Sequence, residues 1–420
     1  MKQLITRKLK SSFSYIKSFT KWTIIAAITG TIGGLLGSLF SVCINYAHTF
    51  NQMHEWLIFL LPIGGLLIAG MYRLCKMQND RGTNLILDSV RERTYVPWLM
   101  SPLIFLSTII THLLGGSAGR EGAALQLGGS LGSIAGKLFR LDEKDLRICV
   151  MCGMSAVFSA LFCTPITAAF FALEVISVGI TYYAALVPCI VSSVVAYFFA
   201  SGFGLSHFHF NISDHIPKID VLSFIQTIGL AAVCAVLSII FCVVMHKSHK
   251  WAVKLFKNEF LRAAVGGVAI ILLTLIVQCR DYNGAGSEII ENAISGTAKP
   301  EAFILKMIFT AFTISFGFKG GEIVPTLFIG STFGCVFAPL LGIDPVFGAA
   351  LGLVCLFCGV INCPIAATFL SIEFFGAEGL ILFATGSAVS YMLSGYYGLY
   401  SSQKIRYSKI KPERININAK

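Results

Sequence analysis

Long apolar runs separated by short polar segments occupy most of the chain. A stretch of about 20 apolar residues is long enough to cross a bilayer as an α-helix. Other runs follow glycine-rich stretches, at 115–122 and 317–321, or begin near Pro165, Pro325 and Pro364. Proline is tolerated as the first residue of a helix. The pattern therefore predicts spanning helices together with helices that begin inside the membrane, where irregular backbone survives only if protein or a wet cavity surrounds it.

The composition agrees with a membrane location. Hydrophobic residues make up 55% of the chain and charged residues 13%, and the mean hydropathy is +0.78. Soluble domains carry about twice that charged fraction. The chain is therefore predicted to be an all-α polytopic membrane protein. Residues 1–21 are basic throughout and have no compact apolar core or small-residue cleavage site, so we expect a basic cytoplasmic tail and not a cleaved signal peptide.

The net charge of +11 raises the question of nucleic-acid binding. Outside the N-terminal tail, however, the basic residues cluster between apolar runs, at 137–147, 247–262 and 404–420. Cytoplasmic loops of membrane proteins show this bias. We therefore exclude a nucleic-acid partner, expect the lipid bilayer as the surroundings, and place both termini in the cytoplasm. Residues 200–217 follow a long stretch without lysine or arginine, and we place them outside.

Two segments of the chain recur in the same order. The matching pairs are GREGAALQLGGS (119–130) with GGEIVPTLFIGS (320–331), and CTPITAAFFALE (163–174) with NCPIAATFLSIE (362–373). Both pairs are offset by about 200 residues, and such ordered repetition indicates an internally duplicated fold.

The duplication predicts the domain organisation. We expect one transmembrane domain, 22–402, built from two homologous halves of about 22–200 and 220–402. Inversion of one half relative to the other is common in transporters that bind substrate at the midplane. Residues 403–420 are expected to form a basic cytoplasmic tail with no regulatory domain.

Helices that begin inside the membrane can bind anions. A helix N-terminus exposes unpaired N–H groups and about half a positive charge. Several such ends that converge form an anion site without a fully charged cation. A transport site must also release its ion, and a lysine would hold an anion too tightly. Glycine allows the backbone to approach the ion closely. The sequence therefore predicts anion transport.

Four glutamates and one arginine accompany these helix starts. Glu121 can occupy the anion site as a tethered carboxylate and leave it when protonated, which would make it both gate and proton carrier; the alternative is a carboxylate that only stabilises its own helix. We expect Arg120 to pair locally or to cap backbone carbonyls. Glu322 is either a second proton-linked carboxylate or a helix-end charge. Glu174 and Glu373 are expected to be buried structural acceptors.

Three motifs resemble one known family. GREGAALQLGGSLGS resembles the GREG motif of the CLC chloride channels and proton-coupled anion antiporters, and KGGEIVPTLFIGS resembles their second glycine–proline motif. GLYSSQKI, at 398–405, is similar to the terminal helix that supplies a tyrosine to the central anion site. The resemblance covers roughly 23–404. It implies a homodimer with one anion pathway per subunit, with an inorganic anion and protons as the transported ions and no cofactor, and it implies a transporter, not an enzyme.

The resemblance also implies roles for individual residues. Glu121 would be the external gating glutamate, and Tyr400 would reach the central site with its hydroxyl group. The other residues implied at the anion pathway are Gly119, Arg120 and Gly122 around the gate, Ile323 and Val324 with their backbone amides, and Gly82, Thr83 and Asn84 in the first loop.

The sequence departs from the usual family pattern in three places. The family's first loop is usually GSGIP with a chloride-binding serine, but here the matching stretch is DRGTNLI. Glu322 precedes Ile323, where an aromatic residue is usual. Val175 stands where antiporters usually have an internal glutamate. Together these departures resemble the fluoride/proton antiporter branch, which is proton-coupled without that glutamate. We expect fluoride export driven by inward proton movement, and a chloride channel or chloride/proton exchanger is the alternative.

Other residues raise competing interpretations. The Cys-x-x-Cys pairs at 149–152 and 355–358 would support an intramembrane redox enzyme, but no nearby cations activate them and we expect small hydrophobic side chains. His207, His209 and His215 could bind a metal, but a polar extracellular loop is the favoured interpretation. Arg81 either attracts anions at the cytoplasmic vestibule or lies in a solvated turn. A prokaryotic inner membrane suits the chain.

Overall fold

The structure is a computed structural model that describes residues 2–78, 80–92, 94–205 and 209–420, with side chains from residue 13 onward. Sixteen α-helices lie within the described residues. The first eight are α1 (Lys2–Met53), α2 (Leu61–Leu74), α3 (Thr83–Glu92), α4 (Met100–Leu113), α5 (Glu121–Leu138), α6 (Glu143–Phe162), α7 (Pro165–Glu174) and α8 (Leu186–Gly202).

The second eight helices repeat the order of the first. They are α9 (Val221–Leu255), α10 (Glu259–Val277), α11 (Ser287–Ile294), α12 (Ala302–Ser315), α13 (Ile323–Phe337), α14 (Pro345–Ile361), α15 (Pro364–Phe375) and α16 (Leu380–Leu393). Within the described residues, seven helical segments are long and apolar enough to cross a membrane, and further apolar helices are shorter. The predicted helical membrane fold is confirmed, whereas the limits of the two halves, 22–200 and 220–402, stay a prediction.

Two helices begin on proline after a sharp turn, at matching places in the two halves. Cys163 ends α6 with φ of 55°, and Asn362 ends α14 with φ of 58°. A left-handed residue stops a helix. Pro165 and Pro364 then open α7 and α15 at a position where the missing N–H costs nothing. The same backbone reversal therefore produces a short helix in each half.

Glycines allow two helix pairs to pack backbone against backbone. A Cβ added to Gly153 of α6 would lie 2.1 Å from the carbonyl oxygen of Gly128 on α5. A Cβ added to Gly334 of α13 would lie 2.1 Å from the carbonyl oxygen of Gly348 on α14. Small residues permit such close approach between membrane helices. This packing fixes the direction of α5 and α13, the two helices that carry the candidate site at their N-termini.

The short helices α7 and α15 each place a glutamate carboxylate at the N-terminus of the other. Glu174, the last residue of α7, accepts hydrogen bonds from the backbone N–H groups of Ile365 (3.3 Å) and Ala366 (2.8 Å) at the start of α15. Glu373, near the end of α15, accepts from the N–H groups of Ile166 and Thr167, both at 2.9 Å, and from the Thr167 hydroxyl at 2.5 Å. Each carboxylate thus satisfies unpaired N–H groups at the start of the other helix.

The C-terminal residues form strands that the sequence did not predict. Strand β2 (Lys404–Tyr407) pairs in parallel with β1 (Ser177–Val178) and antiparallel with β3 (Arg414–Asn418). The terminal helix expected over 398–405 is therefore wrong. Apolar and polar residues alternate in RININ, as is typical of a half-buried strand, and Ile405, Ile415 and Ile417 pack into one apolar cluster.

The exchanged carboxylates lead to a stability prediction. Glu373→Gln should destabilise the protein by about 1.5–3 kcal/mol, because the amide group of glutamine would turn a donor toward N–H groups that need an acceptor. Thermal unfolding of the purified protein in detergent measures the effect. Glu378→Gln is the control, because Glu378 is exposed and should leave the unfolding temperature unchanged. Equal unfolding temperatures for the two variants would contradict a structural role for Glu373.

Candidate functional site

The carboxylate of Glu121 reaches across from one half of the chain to the other. Glu121 is the first residue of α5 and is fully buried. Its Oε2 atom accepts a hydrogen bond of 3.1 Å from the backbone N–H of Val324, the second residue of α13. The unpaired N–H groups at the start of α13 are thus occupied by an anionic side chain from α5.

The glycines of both motifs make room for this carboxylate. Gly119 and Gly321 exchange backbone hydrogen bonds of 2.7 and 2.8 Å, which join the two loops. A Cβ on Gly119 would lie 2.2 Å from Glu121 Oε2, and a Cβ on Gly321 would lie 2.7 Å from the same atom. Any larger side chain at either position would displace the carboxylate. Glycine is therefore required at these positions because the Glu121 carboxylate fills the volume that a side chain would occupy.

Two buried polar atoms at this site have no hydrogen-bond partner among the described residues. They are Oε1 of Glu121 and the hydroxyl oxygen of Tyr400. The charges of Glu121 and Glu322 both act on the Tyr400 hydroxyl, so the three groups lie near one another. Buried polar atoms without partners call for an explanation such as a bound ion or water. A polar ligand at this site would supply the partners that these two atoms lack.

Glu322 lies beside Glu121. It precedes α13 and is partly buried, and its charge acts on that of Glu121. A Cβ on Gly122 would lie 3.4 Å from Oε2 of Glu322, an ordinary contact distance, so Gly122 is a neighbour of the second carboxylate. Ile323 and Val324, the first residues of α13, are buried. The structure thus brings Glu121, Glu322, Gly122 and the start of α13 together.

The side chain of Arg120 points to other partners. Its guanidinium donates to the Ser41 hydroxyl (3.0 Å) and to Asn45 Oδ1 (3.2 Å) on α1, and to the carbonyl oxygen of Leu161 (3.2 Å) in the last turn of α6. The guanidinium thus connects the loop that precedes Glu121 to α1 and α6. Its bond to the Leu161 carbonyl oxygen is the backbone cap that was one of the two expectations for Arg120. Only the backbone of Arg120 remains beside Glu121 as an implied anion-binding group.

The first loop contacts both the gate and the tyrosine segment. The Thr83 hydroxyl donates to the carbonyl oxygen of Gly122 at 3.3 Å. Asn84 Oδ1 accepts from the backbone N–H of Ser402 at 2.9 Å. Gly82 has φ of 55°, in the left-handed region that glycine adopts without strain. Gly82, Thr83 and Asn84 therefore link α5 to the segment that carries Tyr400.

Tyr400 lies on a loop held by residues that sequence reasoning missed. The Gln403 side chain donates to the carbonyl oxygens of Val175 (3.0 Å) and Ile361 (2.8 Å). Its Oε1 atom accepts from Asn362 Nδ2 at 3.0 Å, and Lys409 Nζ donates to Asn362 Oδ1 at 2.5 Å. Gln403 thus joins the ends of α7 and α14 next to Tyr400. No sequence signal marks these contacts, because the partners are far apart along the chain.

Arg81 is exposed and begins the turn that precedes α3, as the interpretation of a solvated turn expects. Its guanidinium forms an ion pair with the buried carboxylate of Asp88, which Arg91 also contacts at 2.5 Å. The Ser402 hydroxyl donates to the same carboxylate at 3.0 Å. The spacing of Asp88 and Arg91, three residues apart on a helix, could have indicated their pairing. This cluster fixes α3 against the Tyr400 segment.

The structure also gives the surroundings of the cysteines and of part of the histidine group. The thirteen cysteines are all free, and both Cys-x-x-Cys pairs are buried within helices. The described part of the chain holds no group of three or more side chains suited to a metal ion. His207 lies outside the described residues, while His215 contacts Asp344 at 3.1 Å.

The chain is similar in sequence and in structure to known proteins. The chain is 33% identical over 408 residues to a protein of Pseudomonas syringae pv. tomato described as "Chloride/fluoride channel protein", which covers 95% of this chain and 90% of that protein. A crystal structure of a CLC-type fluoride/proton antiporter superposes with a TM-score of 0.87 at 30% identity, covering 91% and 98% of the two chains.

A more distant structure shares the fold alone. A slow cyanobacterial Cl−/H+ antiporter superposes with a TM-score of 0.75 at 19% identity, covering 89% of this chain and 94% of that one.

The sequence model of the family described as "Voltage gated chloride channel" matches residues 64–395. This chain therefore belongs to the voltage-gated chloride channel family, the CLC family of integral membrane channels and transporters.

Proposed function

We propose that this protein exports fluoride in exchange for protons, with Glu121 as the gate and the proton carrier. The observation that carries the proposal is the hydrogen bond from the Val324 N–H to the Glu121 carboxylate. A carboxylate and a small anion compete for the same backbone donor. Because a protonated carboxyl group has no charge to hold it at a helix N-terminus, protonation frees the donor for the anion.

The chemistry of the site suits an ion that must also leave. The Glu121 carboxylate accepts a backbone N–H, while the guanidinium of Arg120 is engaged by α1 and α6. Dipoles without a full positive charge bind an anion weakly enough to release it. Glu322 lies beside Glu121, and we propose it as the second proton-linked carboxylate.

The choice of fluoride rests on two supports. Relatives that share at least 30% of their residues with this chain are described as a chloride/fluoride channel protein and a fluoride/proton antiporter. The first loop, DRGTNLI, lacks the serine that binds chloride in the usual family pattern. Fluoride is small and strongly hydrated, so it needs donors at close range, and glycines at 119 and 321 allow the backbone that approach.

The assembly and orientation are also proposals. The family resemblance supports a homodimer with one pathway per subunit. Basic clusters at 137–147 and 247–262 fall at the connections between α5 and α6 and between α9 and α10. Such clusters mark the cytoplasmic side. We therefore propose a prokaryotic inner membrane with both termini in the cytoplasm.

Ion efflux from liposomes tests the proposed function. Liposomes containing the purified protein are loaded separately with fluoride or chloride, and external pH is recorded during efflux. We expect fluoride efflux with a rise in external pH and little chloride efflux. Comparable chloride efflux would place the protein among chloride transporters, and a flat pH trace during fluoride efflux would make it a channel.

Removing the charge of Glu121 should separate the two fluxes. In Glu121→Gln, the side chain cannot carry a proton, so we expect fluoride movement without any change in external pH. The measurement is the same efflux assay, and Glu378→Gln, which removes an exposed carboxylate, is the matched control. Proton flux in Glu121→Gln equal to that of the unaltered protein would exclude the proposed role.

The contacts of Gln403 generate a prediction about Tyr400. Gln403→Leu removes the hydrogen bonds that position the Tyr400 loop, and fluoride turnover should fall on the order of tenfold. Tyr400→Phe should give a similar loss, and the double variant should lose little more, because both changes act on one hydroxyl group. Fully multiplicative losses in the double variant would show that Gln403 acts independently of Tyr400.

A further inference from the structure

Several buried polar atoms around the first loop have no hydrogen-bond partner among the described residues. Two of them are Asp80 Oδ2, just before α3, and Gln126 Oε1 on α5. The hydroxyl groups of Tyr72 on α2 and Ser107 on α4 face each other, yet neither is in hydrogen-bonding geometry. Buried polar atoms without partners call for an explanation, and ordered water commonly fills the gap between them. These four residues are called the Asp80 cluster below.

Contacts of Lys319 and Gly82 bring the members of the cluster together. The Lys319 ammonium lies 3.6 Å from Asp80 Oδ2 and 4.2 Å from the centre of the Tyr72 ring. Asp80 Oδ1 accepts from the Gly82 N–H at 3.0 Å, and a Cβ on Gly82 would lie 3.3 Å from Gln126 Nε2. The 3.6 Å between Lys319 and Asp80 is longer than a direct hydrogen bond, and a water molecule would bridge it.

The cluster is connected to the second carboxylate of the gate through α5. Gln126 Nε2 donates to the Thr83 hydroxyl at 3.5 Å, and that hydroxyl donates to the Gly122 carbonyl oxygen at 3.3 Å. Gly122 is a neighbour of Glu322. Lys319 is three residues before Glu322, and its charge acts on the Glu322 carboxylate. A chain of polar groups therefore runs from Glu322 to the first loop.

Water can reach this chain of polar groups beside Lys319. The Lys319 side chain is 27% exposed, and Glu322 is partly exposed. The charge of Lys319 also acts on His249, near the end of α9 that leads into the basic connection to α10. Basic connections mark the cytoplasmic side. In the orientation proposed above, the open side of the cluster therefore faces the cytoplasm.

Carboxylates joined by ordered water can pass a proton along. When protonated Glu322 releases its proton to a bridging water, one O–H bond breaks and another forms, and that water gives up a proton to the Asp80 carboxylate. Asp80 then releases the proton to the solvent beside Lys319, whose charge balances the carboxylate that remains. Gln126 and the Tyr72 hydroxyl would hold the waters between the two carboxylates.

The alternative is that Asp80 only pairs with Lys319 and so holds the first loop. The ion pair of Asp281 with Lys299 shows what such a contact looks like, because its atoms lie at 2.7 Å and the Asp281 side chain is 32% exposed. The Asp80 side chain is only 1% exposed, and its Oδ2 atom stops 3.6 Å short of the ammonium. A buried carboxylate oxygen that lacks a direct partner is better explained by water.

We propose that Asp80 is the cytoplasmic proton acceptor of this transporter, connected to Glu322 by water that Gln126 and Tyr72 hold in place. This assignment deepens the proposed exchange of fluoride for protons and rests on it. It provides a proton route in a chain where Val175 stands at the place of the usual internal glutamate.

The ratio of proton flux to fluoride flux tests the role of Asp80. Asp80→Asn keeps the size of the side chain but cannot accept a proton. In the liposome efflux assay, the ratio should fall at least about tenfold while fluoride efflux continues. Tyr72→Phe removes a hydroxyl group that no protein group binds, and should lower the ratio by a smaller factor. Asp281→Asn is the matched control, because it breaks an ion pair outside the cluster and should leave the ratio unchanged.

An unchanged ratio in Asp80→Asn would overturn the proposal, even if both fluxes fell, because a structural role slows both ions alike. Should Asp80→Asn fail to fold, an unchanged ratio in Tyr72→Phe would have the same meaning. Absence of proton flux in the wild-type protein would instead contradict the proposed function.

The water itself is tested without transport. A crystal structure of the full chain, at a resolution that shows ordered water, should place water within hydrogen-bonding distance of Asp80 Oδ2 and Gln126 Oε1. A cluster without water there would overturn the proposed connection to Glu322. Because this result does not depend on transport, it separates failure of the proton route from failure of the proposed function.

Discussion

One hydrogen bond, from the Val324 N–H to the Glu121 carboxylate, is the contact on which the candidate site depends. It joins the first turns of α5 and α13, which belong to different parts of a duplicated chain. The paired backbone bonds of Gly119 and Gly321 bring the two helix starts together. The absence of side chains at these glycines leaves the volume that the carboxylate fills. The glycine-rich motifs, the duplication and the buried charge thus have one steric and electrostatic explanation.

The other carboxylates at short-helix ends show why Glu121 differs. Both oxygens of Glu174 and both of Glu373 accept hydrogen bonds from the start of the facing helix. Glu121 directs one oxygen at Val324 and leaves the other without a partner among the described residues. A carboxylate with both oxygens bonded is costly to move, because its donors would be left buried and unpaired. Movement of the Glu121 side chain breaks fewer hydrogen bonds, and this difference suits a group that moves.

The sequence predicts those features that depend on local chemistry or on repetition. The prolines at 165 and 364 mark the starts of α7 and α15, and the paired motifs mark the meeting of α5 and α13. Contacts between distant residues are different. Gln403 positions the Tyr400 loop through hydrogen bonds to residues that are distant in sequence. The Asp80 cluster likewise forms by packing of distant segments, which no local pattern encodes. The C-terminal strands were missed because residues 403–420 were expected to be a basic tail, and a five-residue alternation is too short to indicate a strand by itself.

Uphill movement of fluoride tests exchange with protons most directly. Liposomes containing the protein receive equal fluoride concentrations on both sides and a more acidic solution outside. Exchange predicts that fluoride leaves against its developing gradient as protons move inward. Leakage of neutral HF has the opposite sign, because HF formed outside dissociates in the more basic interior, and protein-free liposomes measure that leak. Net inward fluoride movement at the leak rate would contradict the account.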